Sequence, residues 1–259
     1  MWKAGYAAMA SRQAVFAAEL ARVGMTGPRD AFDGANGFWA QIGWRERPLR
    51  PLAGAGITPG VLLTNIKRWP VRDSCQLPID VAVELRERLA GLPVRALRIE
   101  TYASADQPRA REPELWAPQT RETADHSMPF LVCAALIDGA VTIETFERKR
   151  FLDHDVRELI ARTTLAATAA FTAVAPAMRN CRIEARLEDG SGVVVQRERA
   201  SRPQLDPARS QGAIDSKFIA LAAGVLGDAR ARALQDALWT FEHAPSIASI
   251  VDLTGVLDR

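Results

Sequence analysis

"CRIEARLEDGSGVVVQRER", residues 181–199, decides the fold class of this chain. Apolar and polar residues alternate on both arms, the period of a strand with one face buried. "DGSG" between the arms supplies the residues that tolerate a tight reversal. The stretch reads as a β-hairpin, and it stands among segments with helical periodicity. Upstream, "LPIDVAVELRERLAGLP" (77–93) is an amphipathic helix with Ile79, Val83 and Leu85 or Leu89 inward. Its Glu84, Arg86, Glu87 and Arg88 face outward, and Gly91 and Pro93 stop it. "VRALRIETYAS" (94–104) alternates as a strand. "ADHSMPFLVCAALIDGA" (124–140) is an apolar helix ending at Gly139, and "LDHDVRELIART" (152–163) is a helix with acidic residues in its first turn. The order helix, strand, helix, helix and hairpin predicts a compact α+β unit.

The flanks differ from this middle. "MWKAGYAAMASRQAVFAAELARVG" opens the chain with alanines at helical spacing, a pattern normally buried among other helices. "GMTGPRDAFDG" (24–34) breaks it, and Pro28 suits the first turn of a short second helix. "RERPLRPLAGAGITPG" (45–60) is a Pro- and Gly-rich loop. After "ASRPQLDPARS" (200–210), "AIDSKFIALAAGVLG" and "DARARALQDALWTFEHA" return to helical periodicity. The expected division is a helical segment over 1–65, an α+β domain over 66–200, and C-terminal helices over 201–259 that rejoin the first segment. The fold class is α+β: a helical domain from both chain ends with an inserted α+β lid.

Composition narrows function only a little. The chain has 259 residues and a net charge of +2, so nothing favours a nucleic-acid or membrane-surface partner over a small molecule. The longest greasy stretch, "TTLAATAAFTAVAPAM" (163–178), is too short and too rich in Thr and Ala to span a bilayer. Cys75, Cys133 and Cys181 form no CxxC pair and no zinc-ligand spacing, and read as reduced, mostly buried thiols of a cytosolic protein. His126, His154 and His243 are scattered, so no metal site is expected. Walker, GxGxxG, HExxH and GxSxG motifs are absent. "DHS" at 125–127 is not read as a catalytic triad, because adjacent members cannot usually point at one another.

"NIKRWPVRDSCQLPID" (65–80) stands out. Lys67, Arg68 and Arg72 flank a Pro-fixed turn just before a helix. Free backbone N–H groups at a helix start favour anions, and arginine adds forked recognition of carboxylate. One reading is a carboxylate-binding corner at which the Tyr102 hydroxyl is also aimed. The plainer reading is a solvated loop with Asp73 or Ser74 as helix cap.

Taken in order, several stretches resemble the MmgE/PrpD family, which includes 2-methylcitrate dehydratase and cis-aconitate decarboxylase. "WKAGYAAMASRQAVFAAELARVGMTGP" resembles its lysine-bearing helix and "GxTGP" turn. "FDGANGFW" resembles its "EGxxGF" element, and "IKRWPV" its "KxxP" turn. "WAPQTRETADHSMPFLVCAALIDG" resembles its "TADHSLPY…ALLDG" helix, the most specific of the set, and "DSKFIALA" its "KF" helix. The resemblance covers roughly the second half of a family member. It implies a cytoplasmic lyase of the 2-methylcitrate dehydratase type, tied to propionate metabolism. Such an enzyme acts without metal or cofactor on a small di- or tricarboxylate by acid/base elimination.

By the same resemblance, Lys3, Lys67 and Tyr102 are catalytic candidates, and Arg72, Gln76 and His126 bind substrate. Arg72 stands where the decarboxylase branch has histidine, and Ser74 where dehydratases often do. That departure weakens decarboxylation more than dehydration. A second polypeptide is expected to supply the N-terminal half, in a homo- or hetero-oligomer, a dimer being expected. The alternative is a catalytically silent family member kept as a binding or assembly subunit, since an incomplete helical domain exposes apolar surface that seeks partners.

Overall fold

The structure is a computed structural model that describes residues 2–44, 54, 56–58, 60–106, 112–201 and 207–255; side chains 2–4, 61, 106 and 207–211 are not among the described groups. The chain divides into two compact units, 1–62 and 63–259.

The first unit contains helix α1 (Trp2–Arg22) and the short α2 (Phe38–Gln41). α1 forms as its alanine content predicts. Its burial is not as expected: Tyr6, Met9, Val15 and Phe16 are all exposed. The short helix expected at Pro28 does not form. Residues 25–28 are irregular, and the helical turn comes instead at "FWAQ", where Phe32, Phe38, Trp39 and Trp44 pack their rings together. The aromatic cluster, rather than the proline, sets where that turn sits.

The second unit runs in the order α3 (Gln76–Leu89), β1 (Val94–Thr101), α4 (Ala103–Asp106), α5 (Arg121–Ala124), α6 (Met128–Asp138), α7 (Ile143–Glu147), α8 (His154–Ala161), β2 (Thr163–Ala167), α9 (Ala169–Val174), β3 (Met178–Leu187), β4 (Gly192–Ala200), α10 (Pro207–Leu226), α11 (Asp228–Trp239) and α12 (Ala248–Thr254). The α+β class holds. The sheet order is β2-β1-β3-β4, with β1 and β2 parallel and the other pairs antiparallel. β2 lies in the apolar stretch 163–178, whose Thr and Ala give no clean alternation. It is reached from β1 through α6 and α8, as a parallel pair requires a crossover.

One sheet face is buried. Leu97 opposes Ala185, Ile99 opposes Ile183, and Ile183 opposes Val195; all five are buried. α3 packs on β3 and β4, and α6 packs on α3 and β2. From Met128 to Leu136, α6 is buried on every side, as its unbroken apolar run demands. The helix is tied at both ends. Ser127 Oγ accepts from Phe130 N at 3.1 Å and donates to the Leu115 carbonyl. At the other end Gly139 takes φ 80°, and Arg86 donates to the Leu136 carbonyl at 3.0 Å and to that of Ile137. The opposite sheet face is a charge ladder. Glu100 accepts from Arg98 and Arg182, each at 2.7 Å.

Candidate functional site

The turn before α3 is built around one buried amide. Gln76 is 1% exposed. Its Oε1 accepts from Trp69 N, and its Nε2 donates to the Trp69 carbonyl, both at 2.9 Å. Pro70 follows, so the peptide that Gln76 grips lies at the turn itself. Trp69 is buried against the core, with its indole N–H on Asp80 Oδ1 at 3.0 Å and the Arg68 guanidinium 4.5 Å above its ring. Burial pushes the Asp80 carboxyl pKa up, against the pull of Trp69, Arg68 and Arg199.

The turn is docked on the α5–α6 junction: Arg72 N donates to the Asp125 carbonyl at 3.2 Å. This brings Arg72 next to the segment that carries His126. The His126 Nδ1 pairs with the Asp125 carboxylate and lies 3.0 Å from the Glu122 carbonyl. Lys67 is exposed, and its carbonyl accepts from Lys217 of α10.

The helix cap is not the expected one. Cys75 occupies the N-cap of α3, with no side-chain cap bond. Asp73 is turned instead toward the sheet, where Arg179 of β3 pairs with Oδ2 and Arg199 of β4 stands 3.5 Å from Oδ1. Arg179 and Arg199 are directly opposed across the strand pair. Two guanidinium groups on a neighbouring strand pair outcompete the local backbone for this carboxylate, because charged partners make the stronger bond.

Tyr102 closes the same corner at the end of β1 and is 8% exposed. Burial raises its phenol pKa; Arg179 and Arg199 pull it down, while Asp73 and Cys75 push it up. The phenol therefore stays protonated at neutral pH and is a donor.

Of the six candidates, Arg72 and Gln76 stand at the start of α3 with Lys67 just upstream, Tyr102 neighbours Asp73 and Cys75 there, and the segment that carries His126 docks on the Arg72 backbone through the Asp125 carbonyl. The Lys3 side chain lies outside the described residues, in the other unit. Sequence reasoning missed Asp73 as an ion-pair centre and missed Arg179 and Arg199 altogether. Their signal is only the strand register, which opposes them. Among the described residues, no group of three or more His, Cys, Asp or Glu is placed to hold a metal. No described helix is long and apolar enough to cross a membrane.

Residues 69–242, about two thirds of the chain, match the MmgE/PrpD C-terminal domain. The chain belongs to the MmgE/PrpD family. The match begins at Trp69, so it takes in the turn, α3, the whole sheet and the α10–α11 hairpin. The chain is also similar to the cis-aconitate decarboxylase of Homo sapiens, at 26% identity over 166 residues. That alignment covers 60% of this chain and 33% of the relative, so the chain shares only about a third of that MmgE/PrpD protein's length.

Proposed function

We propose that this chain is the C-terminal part of a 2-methylcitrate dehydratase-like lyase, acting on a small di- or tricarboxylate by cofactor-free elimination. The observation that carries the reading is the turn before α3, within the family-matched region, where Gln76 fixes the turn that bears Arg72, the segment of His126 docks on the Arg72 backbone, and Tyr102 neighbours Asp73. Elimination of water needs a base for the proton beside a carboxylate, an acid for the departing hydroxide, and cations for the charge that builds up. Tyr102, held protonated by burial, fits the acid. Arg72 and Lys67 fit the cations, and Gln76 sets the turn that carries them. Lys3 fits a cation or, where burial lowers its pKa, a base.

In this reading the α+β unit serves as a lid, the helical parts come from both chain ends, and a separate polypeptide supplies an N-terminal half. The arginine at 72 favours dehydration over decarboxylation.

The test is co-expression with a candidate N-terminal half, followed by assay of 2-methylcitrate dehydration and cis-aconitate decarboxylation. Turnover by the pair, lost in Tyr102→Phe and Lys67→Ala, is expected. A co-purified pair that leaves both acids untouched overturns the enzyme reading.

A second reading is a catalytically silent assembly subunit. Exposed Tyr6, Val15 and Phe16 on α1 suit burial against a partner, which both readings require. Association without turnover is its signature.

A further inference from the structure

Asp125 and His126 are neighbours in the chain, yet their side chains meet. His126 Nδ1 pairs with the Asp125 carboxylate and lies 3.0 Å from the Glu122 carbonyl. An ionised carboxylate and a carbonyl only accept hydrogen bonds. The Nδ1 that faces both must therefore donate, and it carries the ring proton. In the neutral ring the acceptor is then Nε2. The pair is held but not sealed off: His126 is 34% exposed and Asp125 30%, so a small solute can reach the ring.

This setting separates His126 from His154 and His243, which are exposed and lie 3.8 and 4.0 Å from a glutamate. Ser127 does not complete a triad with the pair, because its hydroxyl is spent on Phe130 N and the Leu115 carbonyl. What remains is a carboxylate that orients an imidazole, the arrangement of a general base. It stands beside the turn before α3, since Asp125 also gives its carbonyl to Arg72 N at 3.2 Å.

The geometry points to His126 Nε2 as the base of the elimination and to Asp125 as the residue that positions it. This rests on the proposed lyase function and supplies a base from within the family-matched region. Nε2 takes the proton from the carbon beside the carboxylate. That C–H electron pair becomes the new double bond. The C–O pair leaves with the hydroxyl, which departs as water with a proton from the acid. The Asp125 carboxylate faces the positive charge that the ring gains. Proton exchange with solvent then restores His126 and the acid.

A purely structural histidine needs only its Nδ1 side, to close the end of α5 through the Glu122 carbonyl. Substitution separates the two roles, because asparagine places an amide N–H near the position of Nδ1 and has nothing at Nε2.

The experiment has two arms. The first is long-range proton–nitrogen NMR of the imidazoles in the full chain, with pH raised until the rings are neutral and with His154→Gln and His243→Gln for assignment. The Nδ1–H tautomer is expected for His126, and an Nε2–H tautomer overturns the proposal. The second is steady-state turnover of 2-methylcitrate by the chain co-purified with an N-terminal half. His126→Asn is expected to lower kcat about a hundredfold or more, with KM within about threefold of wild type. Asp125→Asn, which keeps an acceptor oxygen but not the charge, is expected to lower kcat about tenfold. Turnover retained in His126→Asn overturns the base and leaves the proposed lyase function standing. A wild-type pair without turnover of 2-methylcitrate or cis-aconitate removes the lyase function and the base role with it, whatever the tautomer. Asp125→Asn keeps the second arm decisive if His126→Asn fails to fold, since an unchanged kcat there overturns the positioning role.

Discussion

Gln76 grips the peptide of Trp69 by both edges, accepting from its N–H and donating to its carbonyl at 2.9 Å each. The side chain mimics a strand partner, and it fixes the turn that positions Arg72. Gln76→Leu leaves a buried N–H and a buried carbonyl unpaired, so it is expected to cost about 2–4 kcal/mol in urea unfolding. Gln76→Glu keeps the acceptor and loses the donor while ionised. Burial raises the folded-state pKa of such a carboxyl, so its neutral form, which can donate again, is regained as pH falls. The deficit of Gln76→Glu against wild type should therefore be smaller at pH 5 than at pH 8. An equal deficit at both pH values would remove the donor from the account.

Ser127 is the start signal of α6 rather than a nucleophile. Its hydroxyl accepts from Phe130 N and donates to the Leu115 carbonyl, and the residue is fully buried. Ser127→Ala removes a cap and strands a buried carbonyl, for an expected loss of about 1–2 kcal/mol. Ser127→Thr, which keeps the hydroxyl, should recover part of that loss if its extra methyl is accommodated. Chemical denaturation of the two variants checks both.

What could be read from the sequence was what local pattern controls. The hairpin, α3, α6 and α8 follow from period and stop signals, and Gly139 ends α6 because it takes φ 80°. β2 could not be read, because an edge strand of Thr and Ala carries no alternation, and its identity comes from pairing with β1. The site splits the same way. Arg72, Gln76 and His126 cluster by chain proximity and one docking contact, so a motif could find them. Asp73 was read as a cap because capping is local. Its actual partners, Arg179 and Arg199, lie more than a hundred residues away and are visible only through strand register. Exposure of α1 was also beyond local pattern, since an alanine-rich helix says that it can be packed and not what packs on it.

Ala90 ends α3 in the left-handed region, at φ 49° and ψ 36°. A side chain there costs about 1–2 kcal/mol, and glycine avoids this at some expense in unfolded-state entropy. Ala90→Gly should therefore raise stability by about 0.5–1 kcal/mol, read as a higher urea midpoint with unchanged slope. A lower midpoint would show that the methyl group packs.

None of the three cysteines is in a disulfide, and all are fully buried. Burial pushes the Cys133 thiol up to about 12 and the Cys181 thiol further still. Neither forms thiolate near neutral pH, and the thiolate is the reactive species. Ellman's reagent should therefore label none of the thiols of the folded chain at pH 8 within minutes, and three per chain in guanidinium. Fast labelling of one thiol without denaturant would reveal local opening around it.

Glu100 sits at the centre of the outer charge ladder, 7% exposed, between Arg98 and Arg182. The Arg182 hydrogen bond holds its carboxyl below the usual glutamate range, opposing the effect of burial; Arg98 adds to the lowering. A folded-state pKa below the unfolded value means that the unfolded chain binds the proton first. The stabilisation is then fully present above the unfolded glutamate pKa, near 4.5, and is lost as pH falls through the folded value. Arg182→Ala leaves Glu100 one cationic partner fewer and should cost about 1–2 kcal/mol at pH 7. As pH falls below the unfolded glutamate value, the difference between this variant and wild type should shrink, because wild type loses more stabilisation as Glu100 takes up its proton. Unfolding midpoints of both proteins from pH 7 to pH 3 check this. Curves that stay parallel over the whole range would mean that Arg182 stabilises the sheet by packing rather than by holding the Glu100 carboxylate.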